Sequence, residues 1–151
     1  MRVDSTFLGE ADLSVHDRRF LRLFKSAVSR IPPETPPLRS LQGVDLKRRG
    51  KLPGLVGLTR WGVLSYGTGS RGAGRMAGTG RQTITFYTVL LSQLSEAGAI
   101  GVIAHELAHA WLNEHVSPEE SEVRELDADR LARRWGFGSE LDALDLETEH
   151  V

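Results

Sequence analysis

From Glu96 to about Leu112 the chain carries a stretch that is apolar on nearly every side of a helix, with Ile100, Ile103, Leu107, Ala110 and Trp111 spread around its circumference. A helix of that kind cannot lie on a surface. It must be covered on several sides, and so it sits centrally in whatever fold forms. Ser95 is placed to cap it, and the carboxylate of Glu96 suits the positive helix end. In the middle of this apolar stretch stand three polar residues, His105, Glu106 and His109. Helical positions four apart lie within roughly 40° of each other, one turn along the axis. Both imidazoles can therefore reach one metal ion, and Glu106 can reach a water bound to it.

A catalytic metal of this type has three protein ligands and keeps a fourth position for water, so a third ligand is expected from another element. A second helix is expected downstream. Ser117 and Pro118 would open it, Glu119, Glu120 and Glu122 would fill its first turn, Arg130, Arg133 and Arg134 would sit near its end, and Gly136 and Gly138 would close it. Within it Glu125 and Asp129 are four apart and share a face, while Ala128 and Ala132 allow close helix packing. Glu125 is the expected third ligand, with Glu122 as the alternative. Asp129 is expected to accept a hydrogen bond from a liganding imidazole and fix its tautomer. His16 and His150 read as surface histidines.

The HExxH motif followed by a helix with an E-x-x-A-D pattern, over residues 105–132, resembles the gluzincin metallopeptidases, particularly the compact minigluzincins and their membrane-bound CAAX-processing relatives. His109 to Leu112, followed by Ser117, Pro118 and Glu119, is also similar to the soluble HExxH peptidases that limit plant organ growth. The resemblance implies a zinc peptidase acting on peptide or protein substrates, with Zn2+ held by His105, His109 and Glu125 and with Glu106 as general base. Tyr87, His115 and Arg134 are candidate donors to the oxyanion of the tetrahedral intermediate. No apolar run is long enough to cross a bilayer, and Met1 to Glu10 lacks the apolar core of a signal peptide. The expectation is a cytoplasmic protein with no membrane partner, and the prenylated substrates of the membrane relatives are not carried over.

A chain of 151 residues is expected to form a single domain, residues 1–151, with the acidic tail from Ser139 to Val151 either a short last helix or flexible. Cysteine is absent, which excludes disulfides and thiolate metal sites. The net charge of −1 conceals an asymmetry: residues 1–81 hold 15 Lys+Arg against 6 Asp+Glu, and residues 82–151 hold 4 against 14. No aromatic-plus-basic cluster or nucleic-acid motif accompanies the basic half. Charge complementarity within one globule is the preferred explanation, and nucleic acid is not an expected partner. Oligomeric state is not legible.

The remaining elements follow from periodicity. Ser14 and Asp17 offer a capping box for a helix over about 15–30, ended by Pro32 and Pro33. Residues 32–37 form a stiff connector. Leu55 to Leu58 and Trp61 to Tyr66 read as strands, residues 67–80 as a glycine-rich loop beside the active cleft, and its GxGxxG spacing lacks the context of a nucleotide site. Arg81 to Tyr87 alternates as a half-buried strand, and its Ile84–Tyr87 part is expected to form the upper edge of the cleft, where an extended substrate could pair with it. The expected fold class is α+β and zincin-like. An N-terminal helix backs a small, twisted, mostly antiparallel sheet, which packs on the HExxH helix, and the glutamate helix crosses behind. Two other functions fit the same residues: a metal-binding interaction module with little or no turnover, and a latent peptidase blocked by its tail (Asp142, Asp145, Glu147, Glu149, His150).

Overall fold

The computed structural model describes residues 15–39, 41–47, 62–66, 82–116 and 121–148. The expected strand over 55–58, the loop over 67–80, the Ser14 cap, the Ser117 and Pro118 helix start, Glu149 and His150 lie outside them. The described chain is mostly helical, with one small sheet. In order it runs α1 (Val15–Arg30), β1 (Leu41–Lys47), β2 (Gly62–Tyr66), β3 (Gln82–Tyr87), α2 (Thr88–Leu91), α3 (Glu96–His115), α4 (Ser121–Ala132), one wide kinked turn (Arg133–Phe137) and α5 (Gly138–Thr148). Among the described residues no helix is long and apolar enough to cross a membrane.

Helix α3 is the central element that its composition demands. Ile103, Ala104, Leu107, Ala108 and Ala110 are fully buried, and α1, α4, α5 and β2 all pack against it. Its start is built as expected: Ser95 Oγ accepts from the Gly98 amide at 3.1 Å. Helix α5 adds a second cap, since the Glu147 carboxylate accepts from the Ser95 amide at 2.8 Å and from the Ser95 hydroxyl at 2.5 Å. The two helices cross closely because glycine lines the contact. A Cβ at Gly101 would lie 2.7 Å from the backbone oxygen of Glu140.

The sheet corrects two expectations. Its order is β1-β3-β2, so the strand over 82–87 is central and not the edge of a cleft. It is also not mostly antiparallel, because β3 pairs parallel with β1 and antiparallel with β2. The physical reason is β1, a strand the periodicity did not announce. Leu41 and Val44 are three apart, out of phase for a regular strand, but the register shifts between Leu41 and Gly43 and brings them opposite Gln82 and Ile84. That extra residue returns both to the buried side.

Helix α1 covers the sheet with an aromatic cluster. The Phe20 and Phe24 rings lie 4.8 and 6.5 Å from that of Phe86, and all three are buried. Each such side chain contributes on the order of 1.5–3 kcal/mol through burial. Asp17 is buried and accepts from the Thr88 hydroxyl at 2.7 Å, while its capping-box partner Ser14 lies outside the described residues. Arg19 donates to the Leu91 and Leu94 carbonyls at 3.1 and 2.8 Å, which fixes the turn between β3 and α3.

Gly136 adopts φ 104°, a left-handed conformation that side chains resist, and the wide turn it closes reverses the chain into α5. Gly138 therefore begins a helix; it does not end one. Arg30, at the end of α1, pins this corner. Its guanidinium donates to the Gly136 carbonyl at 3.0 Å and to the Glu140 carboxylate at 2.8 Å, and it lies 4.5 Å over the Phe137 ring. The same guanidinium holds the Glu140 carboxyl below its ordinary value. Within the tail, residues 138–148 form a packed helix.

Candidate metal centre

Helices α3 and α4 bring three donor groups together. His105 and His109 project from the same side of α3, with ring centroids 4.7 Å apart and ring planes nearly perpendicular. Glu125, in the second turn of α4, faces both. Its Oε2 accepts from His105 Nε2 at 3.0 Å and its Oε1 from His109 Nε2 at 2.8 Å. The donor atoms of all three residues lie within 4.8 Å of one another. Among the described residues this is the one group of His, Asp and Glu side chains that could hold a metal ion.

The surroundings differ on the two sides. His109 is buried and the His105 side chain nearly so, whereas the Glu125 side chain is 62% exposed. Burial disfavours the charged form of His105. The Glu125 hydrogen bond and the negative charges of Glu106, Glu125 and Asp129 outweigh that and hold its pKa above the ordinary imidazole value. Hydrogen bonds from His105 and then His109, with their positive charge, hold the Glu125 carboxyl far below its ordinary value. Two imidazoles and an ionised carboxylate, each aiming one atom at a common point, form a donor set suited to zinc. Nε2 is the nitrogen directed at that point in both rings.

The remaining sequence candidates are more dispersed. Glu106 follows His105 on α3, half-buried, and its charge reaches that ring. Asp129 does not bond an imidazole; it accepts from Arg133 Nε at 2.9 Å. Tyr87 ends β3 immediately before α2 and is half-buried. His115 lies at the far end of α3, where its ring stacks on Trp111 and its Nε2 donates to the Pro37 carbonyl at 3.0 Å, fastening the proline-rich connector. Arg134 is exposed in the wide turn after α4. The tail carboxylates are engaged elsewhere: Asp142 and Asp145 face Arg133, and Glu147 caps α3.

Two residues near the centre escaped the sequence reading. Gln82 is buried at the start of β3, donates to the Ala110 carbonyl at 2.9 Å and accepts from Asn113 at 3.3 Å. It ties the central strand to the turn of α3 that follows His109. Arg133, read only as a charge at a helix end, links Asp129 to α5. The spacing of Glu125, Asp129 and Arg133, in steps of four, was the available signal.

Such a site defines a candidate metal centre on a helix pair. Residues 73–124 match the family model described as Peptidase family M48, a family of zinc metallopeptidases whose substrates are proteins or peptides. The matched segment contains His105, Glu106 and His109 and stops one residue before Glu125, so the third donor rests on the geometry. No curated protein and no solved structure matches the chain.

Proposed function

We propose that the protein is a zinc-dependent metallopeptidase of the gluzincin type, close in plan to the minigluzincins. The observation that carries this reading is the convergence of His105, His109 and Glu125 within 4.8 Å. The matched family supports it from an independent direction. His105, His109 and Glu125 would hold the metal. When bound, zinc supplies Lewis acidity, which lowers the pKa of a water and polarises a carbonyl.

The chain's own residues do the rest. Glu106 takes a proton from the attacking water and returns it to the leaving amine, acting first as base and then as acid. It sits on a helix whose backbone is immobilised by packing on several sides, which keeps its reach to the reacting atoms fixed. Asp129 contributes negative charge behind His105. The strand that would receive an extended substrate is β2. Among the described residues it lies at the sheet edge and packs against α3, and its outer backbone groups can extend the sheet by one strand. Among the oxyanion candidates, His115 is committed to the connector, which leaves Tyr87 and Arg134.

The test has two parts. Elemental analysis of protein purified without a metal-affinity tag is expected to give about one zinc per chain, lost in Glu125→Ala. Glu106→Gln is expected to keep that zinc and abolish hydrolysis of a mixed peptide library. Turnover that survives Glu106→Gln would remove Glu106 from the mechanism, and a chain that refuses zinc would remove the reading itself.

A further inference from the structure

Arg133 stands where three carboxylates meet. Its Nε donates to Asp129 at 2.9 Å, its Nη1 to Asp142 at 2.9 Å, and its Nη2 lies 3.7 Å from Asp145. Nη1 also approaches the Gly138 carbonyl at 3.5 Å. Asp129 belongs to α4, while Asp142 and Asp145 belong to α5. Glu125, Asp129 and Arg133 succeed one another at one-turn intervals, so the row starts at the metal donor and ends at the α5 contact.

This row addresses a mechanical problem of the site. Glu125 is exposed, and among the described side chains of α4 the buried ones are Ala128, Leu131 and Ala132. The position of Glu125 therefore depends on what holds the rest of α4. Ala128, Leu131 and Ala132 hold one face by packing. On the face that carries Glu125, the bond next to it in the row is the one that Arg133 donates to Asp129.

We propose that Arg133 is a positioning residue of the metal centre, which acts through Asp129 to fix the Glu125 turn of α4 against α5. A guanidinium suits the task because its planar fork can serve several carboxylates in set directions, which a lysine ammonium cannot do. The proposal rests on the zinc reading above and deepens it. It makes the C-terminal helix a determinant of metal affinity, although none of its carboxylates ligates.

The test is a zinc titration against a chromophoric chelator with the full chain, carried out on wild type, Arg133→Met, Asp129→Asn, the double variant and Glu147→Gln. Loss of a group that orients a ligand typically weakens metal binding about 10–100-fold, so Arg133→Met is expected to cost at least about tenfold. In the Asp129→Asn background the same change is expected to add little, because Arg133 acts through that carboxylate. Glu147→Gln also loosens α5, at its far end. It is expected to lower the thermal midpoint while zinc affinity stays within about twofold of wild type.

Arg133→Met affinity within twofold of wild type, full additivity with Asp129→Asn, or an equal loss in Glu147→Gln would each overturn the proposal. Should Arg133→Met fail to fold, Arg133→Lys takes its place in the same cycle. Wild-type protein that binds no zinc would overturn the metallopeptidase reading and this inference with it. Zinc bound normally by every variant would overturn this inference alone.

Discussion

The two helices that meet at the candidate metal centre are built in opposite ways. Helix α3 presents apolar side chains all round and is gripped by helices and strand alike, so His105 and His109 are set by the hydrophobic core. Helix α4 buries Ala128, Leu131 and Ala132 but exposes Glu125, Leu126 and Arg130. Two of the candidate ligands thus stand on a helix packed on several sides, and the third on a helix packed along one face and exposed along another. The difference teaches that loss of metal and loss of fold can be separated: injury to α3 strikes both, whereas injury to α4 strikes the metal first.

The largest effect should come from the core side. Ile103→Ala removes a fully buried side chain from α3 and is expected to cost about 2–5 kcal/mol, read from urea unfolding of the metal-free protein. Zinc affinity should fall as well, because both imidazoles share that helix. On the other side, Glu125→Ala should weaken zinc at least about a hundredfold, the upper end of what an indirect support is worth. Its metal-free unfolding curve should stay close to wild type. A matching collapse of stability in Glu125→Ala would erase the contrast between the helices.

Gly101→Ala probes the α3–α5 crossing, where the new Cβ would meet the Glu140 backbone oxygen at 2.7 Å. Overpacking costs about 1–3 kcal/mol, partly offset by the better helix propensity of alanine, about 1 kcal/mol. A net loss of stability is expected by calorimetry, and a gain would mean that α5 can move away without penalty.

A smaller effect is expected with pH. Glu125 is ionised in the folded protein well below its ordinary value of 4.5, so its contribution is present above that value and fades only as pH falls below it. His105 titrates above its ordinary value of 6.5, so its contribution is full below 6.5 and is lost as pH rises through the raised value. The metal-free protein should therefore be more stable at pH 5.5 than at pH 8. The gain should be under about 1 kcal/mol, because water screens the exposed carboxylate. Zinc competes with protons for these donors and should reverse the order, a reversal that thermal midpoints with and without metal would reveal. Least of all, Leu126→Ala, at 56% exposure, should change stability by no more than about 0.5 kcal/mol.

The convergence of His105, His109 and Glu125 was legible because helical spacing is local. Whether His105 meets His109 depends on four residues, and the apolar positions around them announced a buried helix without any knowledge of its neighbours. Glu125 was legible for the same reason, together with the small Ala128 and Ala132. What stayed hidden depends on distant partners. Leu41–Lys47 hides its alternation behind one inserted residue, and only its pairing with β3 shows where the insertion lies. The central place of Gln82–Tyr87 could not be read because an alternating strand looks alike at the edge and in the middle of a sheet. Asp17 carried a plausible local role at a helix start, and the fold gives it a bond to Thr88 in a distant element. Arg133 read as a helix-end charge, while the fold uses it to reach Asp142 and Asp145 of the next helix.

The order of strands has a consequence for how the molecule comes into being. β1 precedes β3 by a long stretch of chain that includes β2, yet the two lie side by side and parallel. As the polypeptide leaves the ribosome, the ladder between β1 and β3 can form only after Gln82–Tyr87 arrives to sit between β1 and β2. Helix α3, with His105 and His109, follows that strand after the short helix α2, and Glu125 emerges later still. Among the described strands β3 joins the other two, and a pairing of such long sequence separation is slow to close and open to association with other chains meanwhile.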